Sequence, residues 1–530
     1  MKKNDIWKGR AEGYTYDGAG VVHTGGVVFF VPGLLDGEEA ELCVTKMKKN
    51  YGYARVVKLL RTSEYRTQPV CSVYKKCGGC QLMHMDYEEQ KRFKENKVKG
   101  VFLQNAQMDI TPLPILTSDH LLAYRNKVQI PVQVNHGKVM MGFYQNHSNT
   151  IVEYDACAVQ TEESNRIAKD IRSWIDELGC ASAFRHVLIK YAHRSGEIMV
   201  CLVVRSLPLR NQEKLIERLK ENYPGIQSIT AIENRREDNV ILDGKETVLF
   251  GRAYIEETLL GSRFRISARS FFQINPYATE LLYSTAMEYA GLTGKETVID
   301  LYCGTGTIGI LCAGHAKKVY GIEIVEDAVK DAKVNAKLNG IDNIEFFTAD
   351  ASRGAERLLK NKIRPDAVIV DPPRKGCSKE TLNAILKMSP ERIVYVSCDP
   401  STLARDCRIL SDNHYTVEKI QPVDMFPMTT HVETVVLLRR ENVDGYVDIN
   451  LEVEKLTGKG GTASYTEIKD YVKEKYGLNV SNLYIAQIKD KTGIKERENY
   501  NKGSGEGKVL HCLPEKEEAI MDAFRHFKLI

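Results

Sequence analysis

No apolar run in this chain of 530 residues approaches the ~18 residues that a membrane helix needs, so the sequence predicts no helical span of a bilayer. The charged start Met1-Lys2-Lys3-Asn4-Asp5 leads into no apolar signal core, which argues against secretion and for a cytoplasmic protein. Low-complexity tracts and internal repeats are missing as well. A strong charge of one sign is lacking: the net charge is only +4, so composition alone names no polyanionic partner. Cysteine, by contrast, is plentiful. Thirteen is an odd number spread over a long chain without a leader, so disulfides fit poorly and metal binding or catalysis fits better.

With 43% apolar and 27% charged residues, the composition is that of a globular protein. Its length predicts about three or four domains, and a monomer is expected. Residues 1–66 read as short β-branched strands between glycines, as in Gly25-Gly26-Val27-Val28-Phe29-Phe30-Val31-Pro32-Gly33, which suits a small barrel. Seven basic residues stand between Lys46 and Arg66 against the single acid Glu64, with Tyr51, Tyr53 and Tyr65 among them. Cations neutralise phosphates and rings stack on bases, so this stretch is either a nucleic-acid surface or a solvated face. Cysteines cluster at 71–80, a charged helix is expected over Tyr87–Val101, and 67–265 as a whole reads as a central α+β region with a strand at 127–132 and an amphipathic helix at 161–178. From about 266 to 440 apolar strands alternate with helices, the rhythm of a doubly wound parallel sheet. Its expected strands are Thr297–Leu301, Val319–Ile324, Ile344–Thr348, Ala367–Val370 and Ile393–Ser397. Residues 441–530 look like an appended helical module.

Val298-Ile299-Asp300-Leu301-Tyr302-Cys303-Gly304-Thr305-Gly306-Thr307-Ile308-Gly309 reads as a strand, a glycine turn and the start of a helix. Such turns let backbone approach a ligand at a helix N-terminus, and this one also satisfies the dinucleotide pattern G-x-G-x-x-G. The surroundings favour S-adenosylmethionine over NAD. Glu323 falls in the next strand, seventeen residues after Gly306, where it can accept both ribose hydroxyls; Asp350 ends a third strand, placed for an adenine amine. Asp371-Pro372-Pro373 ends a fourth, and a dehydrogenase has no use for it. In amino-methyltransferases an aromatic residue follows that motif; here Arg374-Lys375-Gly376 follows, which argues against a base amine as target.

Carbon 5 of uracil is a poor nucleophile and needs covalent activation by a thiolate, then a base to remove its proton. Cys398, after the apolar run Ile393-Val394-Tyr395-Val396-Ser397, would lie at the carboxyl end of a parallel strand, where ligands sit. A lone cysteine is more often a small core residue, as Cys312 and Cys407 in helical patterns are expected to be. Glu433 lies in the apolar run His431-Val432-Glu433-Thr434-Val435-Val436, where an unpaired carboxylate is costly; it is the candidate base or else a paired structural acid.

Taken together, Ser397-Cys398-Asp399-Pro400, Asp371-Pro372-Pro373-Arg374-Lys375-Gly376, Phe271-Phe272-Gln273-Ile274-Asn275 and His431-Val432-Glu433-Thr434-Val435 resemble the RNA 5-methyluridine methyltransferases. The resemblance runs from the N-terminus to about residue 440 and points to the bacterial enzymes that act on 23S ribosomal RNA. It implies a Rossmann-like methyltransferase domain, Cys398 as nucleophile, Glu433 as base, and S-adenosylmethionine contacts at Gln273, Tyr302, Glu323 and Asp371, with Thr307 and Asp350 as further contacts. It likens residues 1–62 to the TRAM domain, an OB-like RNA-binding barrel. For Cys71, Cys77 and Cys80, joined by Cys157, spacing leaves zinc and an iron–sulfur cluster open. The resemblance implies a [4Fe-4S] cluster with a structural and RNA-binding role, and it favours ribosomal over transfer RNA, because most bacterial transfer RNA enzymes of the family lack both cluster and barrel.

Two other classes stay open on the residues: an oxidoreductase using the glycine loop and a cluster, and a non-catalytic RNA-binding protein on this fold. Bound nicotinamide or flavin without methyl transfer would mark the first. Retention of both Cys398 and Glu433 argues against the second. The tail carries Lys475, Lys489, Lys491, Lys495, Arg497 and Lys502, which suit either an RNA-binding accessory or a solvated appendage.

Overall fold

The computed structural model describes residues 1–441, 465–478, 480, 482–492, 514–527 and 529. Residues 1–442 form one compact unit and 443–530 a second.

The N-terminal strands Ile6–Tyr14, Gly20–Thr24, Val27–Val31, Glu39–Met47 and Tyr51–Arg61 close into a barrel in which the third strand pairs with the fifth. Alternation along the strands turns Ala11, Val22, Phe29, Val31, Leu42 and Ala54 inward. Gly52 is required there: a Cβ would lie 2.4 Å from the Phe29 ring. The residues on either side of it, Tyr51 and Tyr53, point out and meet Phe30, with ring centroids 5.6–5.9 Å apart.

The helix Tyr87–Val101 starts at Asp86, whose carboxylate accepts from the Glu89 backbone N–H, and it carries Glu88 and Glu89 in its first turn. Its Lys94 is fully buried against fully buried Asp424 at 2.6 Å, and Lys94 also donates to the Phe426 carbonyl. Removing either partner would strand a charge in the interior, at a cost of about 3–5 kcal/mol.

The central region is a seven-stranded mixed sheet in the order 245–251, 226–233, 198–204, 184–191, 127–135, 138–144, 151–153. Ile198–Val204 is apolar at every position because it is buried on both faces. The helices Glu162–Glu177 and Gln212–Asn222 cover one of them. Thr161 caps the first of these helices, its hydroxyl accepting from the Ser164 backbone N–H.

The strands from 297 onward form a second seven-stranded sheet. Its order is 344–348, 318–323, 297–301, 367–370, 392–397, 433–440, 415–423, with the first five strands parallel and the last two antiparallel. The five parallel strands fall where their apolar runs place them. Strand order reverses between Thr297–Leu301 and Ala367–Val370, which opens a crevice at their carboxyl ends. The two antiparallel strands were not among those expected. Glu433–Arg440 slots, antiparallel to both, between Arg392–Ser397 and the edge strand Tyr415–Val423.

In the C-terminal unit the helices Tyr465–Tyr476, Asn482–Lys491 and Pro514–His526 share a core of their own that includes Ile468, Val472, Ile485, Ile520 and Phe524. Lys475 pairs with Asp522 at 2.7 Å and Lys491 pairs with Glu517. Lys495, Arg497 and Lys502 lie outside the described residues. No helix among the described residues is long and apolar enough to cross a membrane.

Candidate active site

The glycine loop leaves the strand Thr297–Leu301 with three residues at positive φ: Tyr302 at 65°, Gly304 at 53° and Gly306 at 80°. A Cβ on Gly306 would lie 2.8 Å from the Phe346 ring, so the loop can pass there only as glycine. A tyrosine held in the left-handed region is costly, and such strain is typical of a functional loop. Asp300 is wholly buried and accepts from the Gly309 backbone N–H at 2.8 Å, pinning the helix Thr307–Ala313 to the sheet. Burial pushes its carboxyl up to about 8.

Each residue expected to contact the cofactor has a definite place. Glu323 ends its strand half-buried, accepting from Gly304 N–H at 3.1 Å and Val325 N–H at 2.8 Å. Asp371 follows Val370 across the crevice, and burial pushes it up to about 7. Tyr302 is half-buried with its hydroxyl 3.3 Å from Thr381 Oγ1. Thr307 is buried in the first turn of its helix, 3.4 Å from Thr305. Gln273 is buried, and its carbonyl accepts from Asn126 Nδ2 at 2.9 Å. Asp350 differs from its expected place. The strand ends at Thr348, and Asp350 instead caps the helix Ala351–Lys360, accepting from Ser352 N–H at 3.0 Å and Ser352 Oγ at 2.6 Å. It stands exposed at the rim, with one carboxylate oxygen engaged as a cap.

Cys398 sits half-buried just past the strand Arg392–Ser397. Pairing of Ser397 with Thr434 puts Glu433 alongside it, on the neighbouring strand. Glu433 is 3% exposed. Burial, then the charge of Asp371, pushes its carboxyl up to about 8, while Arg374 opposes. Burial, then Glu433, pushes the Cys398 thiol up to about 11, again with Arg374 opposing. Arg374 is therefore a cation that the thiol and the acid share. In sequence, Arg374 stands out only as part of the Asp371–Gly376 motif and as a non-aromatic residue after Asp371-Pro372-Pro373; its role beside Cys398 has no further signal there. Asp399 caps the helix Pro400–Ser411 and also accepts from the hydroxyl of Tyr16, on the barrel, at 3.1 Å. Nothing in the spacing of residues 16 and 399 announces that contact. Cys312 and Cys407 are wholly buried, as their helical patterns predict.

Cys71, Cys77, Cys80 and Cys157 line one cavity of about 60 Å³. Burial, then Cys157, pushes the Cys80 thiol up to about 12; Cys77 and Cys157 are raised as well. Arg125 borders the same cavity, and its Nε is buried without a partner. Among the described residues, no three or more His, Cys, Asp or Glu side chains are drawn close enough to hold a metal ion. The four thiols share a cavity but do not converge on one point.

Residues 86–441 match the tRNA (uracil-5-)-methyltransferase family. The chain is 43% identical over 451 residues to an uncharacterized RNA methyltransferase of Halalkalibacterium halodurans, covering 83% of this chain and 98% of that protein. It is 42% identical over 451 residues to an uncharacterized RNA methyltransferase of Clostridium acetobutylicum, with the same coverage of each. Among solved structures, it resembles the Pyrococcus abyssi tRNA (uracil-54, C5)-methyltransferase in complex with S-adenosyl-L-homocysteine. The TM-score is 0.65 and the identity 27%, over 82% of this chain and 100% of that one.

Proposed function

We propose, starting from the fact that this chain belongs to the tRNA (uracil-5-)-methyltransferase family and is an S-adenosylmethionine-dependent RNA methyltransferase, that it methylates carbon 5 of a uridine through a covalent bond to Cys398. The observation that carries the reading is the meeting of Cys398 and Glu433 on adjacent strands, beside Asp371 and Arg374, next to the crevice where strand order reverses.

S-adenosylmethionine supplies an electrophilic methyl group. Gln273, Tyr302, Glu323 and Asp371 are the residues proposed to hold it, with Thr307 and Asp350 at the margins. The Cys398 thiolate adds to carbon 6 of the uracil ring, and the electron pair at carbon 5 takes the methyl carbon as the methyl–sulfur bond breaks and S-adenosylhomocysteine departs. Glu433 takes the proton from carbon 5, the double bond re-forms, and the thiolate leaves. A carboxyl held near 8 is a competent base close to neutrality. The thiol must lose its proton to attack, and Arg374 is the group that lowers the cost. A uracil inside a duplex cannot reach this sulfur, so the target is unpaired or flipped out.

By the family resemblance, a [4Fe-4S] cluster would be held by Cys71, Cys77, Cys80 and Cys157, which line one cavity although their thiols do not converge on one point. Four thiolates around a cluster carry net negative charge, and the unpartnered guanidinium nitrogen of Arg125 suits that charge. Such a cluster would supply no step of the reaction and would tie the cysteine segment to the central sheet.

The presence of both barrel and four-thiol cavity favours 23S ribosomal RNA as the substrate of a cytoplasmic, monomeric enzyme. The second reading, a transfer RNA uridine, rests on the substrate named for the Pyrococcus abyssi enzyme. RNA carrying 5-fluorouridine tests the chemistry, because fluorine cannot leave as a proton and the adduct stays trapped on Cys398. Absence of an adduct would remove the covalent route. Mapping 5-methyluridine in ribosomal and transfer RNA from a deletion strain decides between the substrates.

A further inference from the structure

A groove of about 420 Å³ runs between the barrel and the helix Tyr87–Val101, within the size range of ligand sites. Barrel residues 13–16 and Asp36 form one wall. The other is a stripe at one-turn spacing, Arg92, Asn96, Gly100 and, past the helix end, Gln104. The groove adjoins the candidate active site. Tyr16 lines it and donates to Asp399, the residue after Cys398, and the Tyr16 hydroxyl feels the charge of Cys398 itself. An RNA strand that delivers a uridine to Cys398 and passes Tyr16 enters this groove.

The lining has the chemistry of a nucleotide site. A Cβ on Gly100 would meet nothing within 4 Å, so the floor of the stripe is open. On either side of it the amides of Asn96 and Gln104 are exposed, and neither makes a hydrogen bond within the described residues. Each amide offers both donors and an acceptor, the complement of a nucleobase edge. Lys97 lies 3.7 Å from the centre of the Tyr16 ring and donates to the Thr430 carbonyl at 2.7 Å, with no carboxylate in ion-pair range. That leaves its remaining protons for a phosphate. Arg92, by contrast, is already paired with Glu89 at 2.7 Å. One available ammonium with two amides suits a single nucleotide better than a run of phosphates.

We infer that this groove binds an unpaired RNA nucleotide neighbouring the target uridine, reading its base with Asn96 and Gln104 above the open floor at Gly100. The inference rests on the proposed uridine chemistry at Cys398. It makes the barrel part of substrate selection, because the groove exists only where barrel and helix meet.

The test uses the full chain and a fluorescent single-stranded RNA with one 5-fluorouridine, abasic sites being placed one at a time on either side. Binding is read by anisotropy and the adduct by gel. In the wild type, an abasic site at one neighbouring position should weaken binding roughly tenfold, the size of one lost base contact. Gly100→Leu should weaken binding of the intact RNA by a similar factor and become indifferent to that abasic site. Should Gly100→Leu fail to fold by thermal melting, Asn96→Ala/Gln104→Ala gives the same reading. Variants that keep both wild-type affinity and wild-type sensitivity to every abasic site overturn the inference. A wild type that forms no adduct, while the neighbour effect persists and vanishes in the variants, would leave the groove standing and remove the Cys398 chemistry.

Discussion

Two regions of this molecule present cysteine to a semi-enclosed space, and burial raises the thiols of both. Around the 60 Å³ cavity the neighbours of each thiol are other thiols, with Arg125 the nearby cation. Ionising one there makes the next harder. At Cys398 the neighbours are three carboxyls, Glu433, Asp371 and Asp399, and a cation, Arg374. A lone thiol among proton acceptors is suited to give up and regain a proton. The side chain is the same in both places, and the neighbours set how readily each gives up its proton.

Exchange of the nucleophile breaks this contrast most sharply. Cys398→Ala should lower methyl transfer at least about a thousandfold and abolish trapping on 5-fluorouridine RNA, since covalent activation has no substitute. Binding of S-adenosylmethionine by calorimetry should be unchanged, because the thiol is not among its proposed contacts. A variant that still forms 5-methyluridine would place the nucleophile elsewhere.

Glu433→Gln should slow turnover by about 10²–10⁴-fold, the usual weight of a general base. The adduct should accumulate on ordinary uridine RNA, because methyl transfer precedes the lost step. In the wild type, turnover should rise with pH through about 8, where the buried carboxyl releases its proton. Normal turnover by Glu433→Gln would leave Cys398 standing and make Glu433 structural.

At the other cysteine site, Cys80→Ser should act on composition and not on chemistry. Anaerobically purified wild type should carry roughly four irons per chain and a broad visible absorbance, both lost in the variant. One zinc per chain and no iron would overturn the cluster. Arg374→Gln should then slow trapping about tenfold at neutral pH and move its pH dependence to the alkaline side, a shift of about one unit being worth 1.4 kcal/mol. Arg374→Lys should restore most of it, and an unmoved profile would mean that the cation does not act on Cys398.

The smallest effect is on stability. Asp300 and Asp371 are raised from 3.8 to about 8 and about 7, and Glu433 from 4.5 to about 8. Between the unfolded and folded values the native state holds protons that the unfolded chain has released. These three acids contribute stability that is lost as pH rises from about 5 to 8, while buried His84 and His186 and half-buried His431, each held down to about 4, contribute in the opposite sense below about 6.5. The melting temperature of Glu433→Gln should therefore gain on that of the wild type as pH rises over this range. A difference between the two that does not move with pH would show that Glu433 is ionised in the folded enzyme.

The five parallel strands, the glycine loop, the cysteine run and the Ser397-Cys398-Asp399-Pro400 segment could all be read from the chain. Apolar β-branched runs, glycines and thiols at short spacing carry their meaning locally: each run buries itself, and each turn needs its own φ. Asp350 shows where such reading stops. A carboxylate just past a strand suits a ligand contact or a helix cap equally in sequence, and only the backbone turn after Thr348 reveals that it caps. Distance along the chain hides the rest. That Glu433 lands beside Cys398 depends on its strand being inserted between two others in antiparallel register. That Arg374 serves both depends on the crevice at the strand reversal. That Tyr16 reaches Asp399 depends on how the barrel packs against the helix Tyr87–Val101. Sequence by itself determined which side chains were present and what local backbone they adopt, because propensity, periodicity and turn chemistry act over a few residues. Only the tertiary structure decided which of them share a low-dielectric space, since burial and charge proximity, which set their acidity, are properties of that space and not of the chain.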